Sequence, residues 1–131
     1  MNERAFLTHC LSTGAAGRSY LGRLQDAHLT SEVARRGRDH LLEHFDDPLD
    51  GLSDDDPDLK ALVTRLYMAA GAVGEYSEPS LREDLLDLER RRLEREITRA
   101  QLAQDRVREG ELARAKHALR QELDSVAGEA S

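Results

Sequence analysis

The amino-acid sequence predicts an all-α protein, a small helical bundle followed by a long helix and a C-terminal helical hairpin. Three observations predict this fold class. The stretch 80–126 contains no proline and one glycine, and more than half of it is Glu, Arg, Leu and Ala, which favour helix. Apolar residues recur three or four positions apart in several segments, as on one face of a helix. No segment alternates apolar and polar residues as a half-buried strand does.

The predicted bundle occupies residues 1–80 and begins with three short helices. The first covers residues 3–12 and stops at Gly14, because glycine commonly follows the end of a helix. The second covers residues 15–25. The third is the segment SEVARRGRDHLLEHF, capped by Thr30 or Ser31, whose hydroxyl can accept a free backbone N–H of the first turn.

An acidic loop separates these helices from the fourth. The segment DDPLDGLSDDDPD at 46–58 holds two prolines, a glycine and seven aspartates, and we expect Leu49 and Leu52 to fold back beneath it. Asp56 is followed by a proline, which is a common helix start since proline lacks the N–H that would be unpaired there. The fourth helix is therefore predicted at 57–72.

The remaining chain is predicted to form a long helix and hairpin at 81–127 and a disordered tail at 128–131. Ser80 and Glu83 have the spacing of a capping box and are expected to start the long helix. Gly110 is expected to mark the turn into a shorter return helix. The first half of this segment is expected to be buried against the bundle. The second half carries too little apolar area to add much stability, so we assign the function to it.

Composition limits the classes of partner. The net charge is −7, and residues 1–80 carry 8 basic and 14 acidic side chains, so direct binding to nucleic acid is disfavoured. The single cysteine, Cys10, is expected to be a buried thiol of a cytoplasmic protein. No apolar run is long enough for a membrane helix, and the N-terminal residues are too polar for a signal peptide.

The strongest indication of an enzyme is the segment HLLEH. His40 and His44 share a helix face as a zinc-binding pair would, and Glu43 is a possible general base. A half-exposed helix bordering the core explains the same pattern without a metal, and no third ligand signature follows. The three aspartates at 54–56 lack the ligand alternation of a calcium loop. We therefore predict no catalytic residue, no metal and no cofactor.

Two segments resemble a known family. ERAFLTHCLSTGAAGRSYLGRL, followed by RGRDHLLEHFDDPLDGL, and the tail LERRRLEREITRAQ…ELARAKHALRQELDSV are similar to the C-terminal helicase-binding domain of bacterial DnaG-type primases. The resemblance covers roughly residues 2–127 in the same order. The acidic loop and the terminal ELARAKHALRQELDSV contribute most to it.

This resemblance implies a non-catalytic adaptor of DNA replication. Such a domain docks on the N-terminal domain of the replicative hexameric helicase and holds the polymerising part of primase at the fork. The isolated domain is expected to be monomeric. We expect the hairpin to make the principal contacts, through Val107, Arg108, Leu112, Arg114, Ala115, Leu119 and Leu123.

Other classes of protein remain open at this point. One is a self-associating helical scaffold that dimerises through the long helix. A second is the N-terminal domain of the replicative helicase itself, whose helical architecture is related to that of the primase domain. The third is the zinc hydrolase considered above.

Overall fold

The computed structural model describes the backbone of residues 2–74 and 76–130 and the side chains as far as Gly128. Within these residues the chain forms six α-helices and a 3-10 turn at Asp26–His28, with no strand, so the predicted all-α class is confirmed. The helices are α1 Glu3–Ser12, α2 Gly14–Arg23, α3 Glu32–Glu43, α4 Pro57–Ala72, α5 Glu78–Leu102 and α6 Arg106–Ala130.

Helices α1 to α4 and the first half of α5 enclose one hydrophobic core. Phe6, Leu7, Leu21, Leu41 and Leu81 are fully buried in it. These side chains recur at helical spacing in the sequence, and burying each of them stabilises the bundle by about 1.5–3 kcal/mol relative to leaving it exposed. The predicted buried thiol of Cys10 is confirmed: burial, with a smaller contribution from Asp84, raises its pKa to about 12.

Side chains cap α3 and α4 as the sequence predicts. The hydroxyl of Ser31 accepts the backbone N–H of Ala34 at 3.2 Å, which settles the choice of cap for α3. Asp56 accepts the N–H of Leu59 at 3.4 Å, directly before the proline that opens α4. The predicted range 57–72 for this helix is confirmed.

The junction of α1 and α2 lies at Gly14, where the sequence predicts the stop of α1. Helix α1 ends at Ser12 with Thr13 as its C-cap, and Gly14 follows with a φ of +66°, the left-handed conformation that commonly closes a helix. Gly14 is also the first residue of α2, one residue before the predicted start at 15, so the chain turns sharply between the two helices. Gly17 then lies so close to α1 that an added Cβ would stand 1.8 Å from the carbonyl oxygen of Cys10. The absent side chain therefore lets α1 and α2 pack backbone to backbone.

The acidic loop is held by polar contacts at both ends. His40 donates from Nε2 to the carbonyl of Pro48 at 2.7 Å, and Asp56 pairs with Arg36. Leu52 is packed against the core as expected. The prediction for Leu49 was wrong, because this side chain is 43% exposed.

Three expectations for the C-terminal half were also wrong. Helix α5 starts at Glu78 and is capped by Ser77, so Ser80 lies in its first turn and is not the cap. Gly110 lies inside α6, and the turn falls earlier, at residues 103–105. Helix α6 continues to Ala130, so the predicted disordered tail is helical as far as that residue, and Ser131 lies outside the described residues.

No helix among the described residues is long and apolar enough to span a membrane.

Candidate partner-binding surface

Helix α5 connects the two parts of the molecule because it buries two different faces. Leu81 and Leu88 point into the bundle core, whereas Leu86 and Leu93 pack towards α6. Residues five positions apart on a helix point about 140° apart, so these two sets lie on nearly opposite sides. Helix α6 therefore packs on the side of α5 that faces away from the bundle.

Two histidines fix α5 against the bundle. His9 of α1 hydrogen-bonds Asp84 through Nδ1 at 3.2 Å and stacks on Tyr76 with the ring centroids 4.0 Å apart. His28 accepts the backbone N–H of Gln25 through Nδ1. Its Nε2 therefore carries a hydrogen and donates it to the carboxylate of Glu89. Both contacts lie in the first half of α5, and they orient the hairpin that follows.

The hairpin is closed by a seven-residue repeat on each helix. Leu86, Leu93 and Ala100 are seven positions apart on α5, and Leu112, Leu119 and Val126 are seven apart on α6. Leu93, Ala100, Leu112 and Leu119 are buried in one cluster, with Leu86, Ile97 and Leu123 packed beside it. This spacing is that of a two-stranded coiled coil, here antiparallel. We call this cluster the seam.

A charged layer interrupts the seam. Glu94 accepts a hydrogen bond from Arg90 at 2.9 Å on its own helix and lies 3.3 Å from the Nζ of Lys116 on α6. Partial burial opposes ionisation of Glu94, but its contacts with Lys116 and Arg90 outweigh burial and lower its pKa. A charge at such a position specifies which residues face each other across a coiled coil.

Polar pairs on either side fix the same register. Gln101 donates to Glu109 at 3.2 Å near the turn, and Arg82 lies 3.6 Å from Glu122 near the open end. In each pair, one residue lies about as far before the turn as the other lies after it, as expected for two antiparallel helices joined by a short turn. Both helices have 25 residues.

The turn between the helices is short and well defined. Gln104 adopts a φ of +56°, and the backbone N–H of Asp105 donates to the carbonyl of Ala100 at 2.9 Å. The side chain of Asp105 accepts the backbone N–H of Arg108 at 3.1 Å and so caps α6. We call residues 99–108 the tip.

The tip exposes two large apolar side chains. Leu102 is 82% exposed and Val107 is 75% exposed, one on each side of the turn. The tip also carries Arg99, Arg106, Arg108 and the carboxylate of Asp105, and Arg108 lies 3.8 Å from Glu96 and 3.6 Å from Glu111. The tip is therefore an exposed apolar surface with a basic rim, and the bundle does not cover it.

The structure separates the seven residues predicted to bind a partner. Leu112 and Leu119 are only 3% and 8% exposed, and Leu123 is half-buried beside them, so these three close the hairpin. The other four, Val107, Arg108, Arg114 and Ala115, are exposed on α6, and Arg108 also lies 3.8 Å from Glu96 of α5. A partner that approaches the intact hairpin meets this second group.

Sequence reasoning missed Leu102 because it placed the turn at Gly110. The sequence does contain a signal for the true turn. The repeat on α5 ends at Ala100 and the repeat on α6 begins at Leu112. The position midway between these two residues is 106, close to the observed turn. The order Gln-Asp-Arg at 104–106 also has the aspartate that caps a new helix.

The histidine pair of α3 has a structural role here. His40 and His44 stack with their ring centroids 4.5 Å apart, and His44 lies 3.5 Å from Asp50 of the acidic loop. Gly51, with a φ of +76°, lies against them, since an added Cβ would stand 3.0 Å from the ring of His44. Nowhere in residues 2–74 and 76–128 do three His, Cys, Asp or Glu side chains form a group that could hold a metal ion.

Comparison of this chain with protein-family models, with curated proteins and with solved structures gave no match. The resemblance to the primase domain therefore rests on the sequence motifs alone.

Proposed function

We propose that this chain is the non-catalytic interaction domain of a bacterial DnaG-type primase, and that it binds the N-terminal domain of the replicative helicase through the tip. The observation that carries the proposal is the exposure of Leu102 and Val107 at the end of a hairpin that projects from the bundle. The sequence resemblance supplies the identity of the partner. The replication fork is cytoplasmic in bacteria, so the proposal includes that location.

Leu102 and Val107 of the tip are suited to binding because the hairpin does not need their side chains for closure. The seam already satisfies the facing sides of α5 and α6, through Leu93, Leu112 and Leu119. Burying Leu102 and Val107 against a partner would remove apolar surface from water without opening the hairpin. Such exposed anchors supply affinity at the centre of an interface, and the charges around them determine the register.

The basic rim favours an acidic or polar groove on the helicase. Arg106 forms no ion pair within the described residues, and Arg114 lies on the same side of α6 as Val107, seven residues away. These guanidinium groups can pair with carboxylates at the edge of the interface, which mainly affects the rate and specificity of association. The chain itself carries out no chemical step in this proposal. It increases the effective concentration of primase at the helicase.

The test compares two charge insertions on the exposed side of the hairpin. Val107→Glu places a carboxylate in the tip, whereas Gln121→Glu makes a similar change on exposed α6 surface away from it. Each variant is titrated with the purified helicase N-terminal domain by calorimetry. We expect Val107→Glu to weaken binding at least about tenfold, since a buried unpaired charge costs more than 1.4 kcal/mol. Gln121→Glu should bind like the wild type.

Point substitutions are preferable to deleting α6 after Arg108. Deletion would expose Leu93 and Ala100 of the seam, so lost binding would also follow from misfolding. The proposal is wrong if Val107→Glu, with an unchanged unfolding temperature, binds the helicase domain as tightly as the wild type.

A further inference from the structure

A second exposed apolar site lies on the bundle, far from the tip. Met68 is 69% exposed and Tyr67 is 45% exposed on the last turns of α4. They line a groove of about 430 Å³, together with Leu11, Phe45 and Pro48. Leu49, also exposed, follows this proline. Among the described residues, every exposed large hydrophobic side chain except Leu49 therefore lines this groove or lies at the tip.

The two sites have opposite local charge. The groove borders the acidic loop, which has seven aspartates and no lysine or arginine, and Asp46 is among the groove's lining residues. Some of these aspartates are paired: Asp54 with Lys60 and Asp56 with Arg36. Asp46 and Asp47 are exposed and have no ion pair within the described residues. Arg65, one turn before Met68, is the nearest basic residue on α4. The tip carries three arginines and one aspartate; because Arg108 is paired with Glu96 and Glu111, Arg99 and Arg106 supply its excess positive charge.

A molecule cannot bring its own tip to its own groove. The groove lies at the end of α4 and beside the end of α1, whose Ser12 lines a cavity with Ser80 at the start of α5. The tip lies at the other end of α5. This helix has 25 residues and so separates the two by about 37 Å. Contact between the two sites therefore requires two molecules.

We propose that the groove binds the tip of a second copy of this chain. Leu102 and Val107 of one copy would cover Met68 and Tyr67 of the other, and Arg106 would face Asp46 and Asp47. Two copies lying antiparallel can make this contact twice, which gives a closed dimer with twofold symmetry. This inference does not depend on the proposed function. It differs from the monomer that the sequence led us to expect, and it implies that self-association and binding of a partner at the tip compete.

The first experiment measures self-association by sedimentation over a wide range of protein concentration. We expect the wild type to dimerise, and Met68→Glu and Val107→Glu each to weaken dimerisation at least about tenfold. Gln121→Glu is the matched control and should dimerise like the wild type. Added salt should weaken the dimer, because the rim contacts are ionic and exposed. A wild type that stays monomeric at every concentration, or a dimer that Met68→Glu does not weaken, overturns the proposal.

The second experiment tests which sites meet. Cys10 is buried and its thiol has a raised pKa, so a cysteine introduced on the surface is the reactive one. Met68→Cys protein is mixed with Val107→Cys protein under mild oxidation, and a mixture of Met68→Cys with Gln121→Cys is the control. We expect the first mixture to form the mixed disulfide at least about tenfold faster. Equal rates, or faster disulfide formation between two Val107→Cys chains, contradict contact between tip and groove.

The two proposals can fail separately. Met68→Glu lies outside the tip, so it should weaken self-association at least about tenfold while leaving binding to the helicase domain unchanged or tighter. If Met68→Glu weakens helicase binding as much as self-association, the groove belongs to the helicase interface and the proposed dimer is wrong.

Discussion

The bundle and the hairpin are both helical, but they are held together in different ways. The bundle core draws buried side chains from five helices and includes the aromatic rings of Phe6 and Tyr20. The seam draws on two helices, contains no aromatic residue, and includes the charged layer around Glu94. Because each layer of the seam buries a small area, the hairpin adds less free energy per residue than the bundle. Its far half can therefore open locally while the bundle stays folded.

The largest expected effect is the loss of stability caused by a substitution at Gly17 of the bundle. A methyl group there would overlap the carbonyl of Cys10, so Gly17→Ala must push α1 and α2 apart. We expect the free energy of unfolding to fall by about 3 kcal/mol, measured by urea denaturation followed by circular dichroism. Gly22→Ala is the matched control on the same helix, where an added Cβ meets open space. A Gly17→Ala variant as stable as Gly22→Ala would show that the helices are not packed this closely.

The second prediction opens the hairpin without unfolding the bundle. Leu119→Ala removes a buried side chain from the seam and should destabilise the hairpin by about 2 kcal/mol. Hydrogen exchange should then quicken at the amides of α6 and of α5 beyond Leu93, while those of α1 and α4 keep their protection. At protein concentrations where the chain is monomeric, Leu102→Ala is the control, since its side chain is then exposed and its loss should change little. Uniform loss of protection in both regions would mean that the hairpin and bundle unfold as one unit.

The difference between the bundle and the hairpin also explains which structural features can be predicted from the sequence. Leu62 and Leu66 repeat at helical spacing after a clear cap at Asp56, so the predicted range of roughly 57–72 matches α4. The end of α1 at Gly14 is predicted because a glycine there can adopt the positive φ that closes a helix, whereas the start of α2 at the same residue depends on the packing of α1 on α2. In the hairpin, the apolar pattern correctly indicated Leu112 and Leu119. It could not show whether these residues face a partner or α5, because that depends on where the chain turns.

The third prediction concerns the position where the turn was expected. Gly110 lies inside α6, and an added Cβ would meet only the end of the Arg114 side chain, at 3.6 Å. Glycine within a helix is less stable than alanine by about 0.5–1 kcal/mol. Gly110→Ala should therefore stabilise the hairpin by that amount and slow hydrogen exchange in the first turns of α6. If the chain turned at Gly110, the same substitution would destabilise it.

The smallest expected effect concerns the charged layer of the seam. The pKa of Glu94 is lower in the folded protein than in the unfolded chain, so its contribution to stability is present above the unfolded pKa, near 4.3, and is lost as the pH falls through the folded value. The side chain is 41% exposed, so solvent limits this contribution to about 0.5 kcal/mol or less. Glu94→Gln keeps the shape and removes the charge.

We expect Glu94→Gln to be slightly less stable than the wild type at neutral pH and equal to it at acid pH, measured by urea denaturation at a series of pH values. Glu111→Gln is the matched control, because among the described residues Glu111 pairs only with Arg108, 3.6 Å away on the exposed side of α6. Its effect should be smaller still. A difference between Glu94→Gln and the wild type that persists at acid pH would mean that the Glu94 side chain acts through its packing and not through its charge. The layer around Glu94 would then specify by its shape which residues of α5 and α6 face each other. The hairpin would differ from the bundle only in the apolar area that it buries.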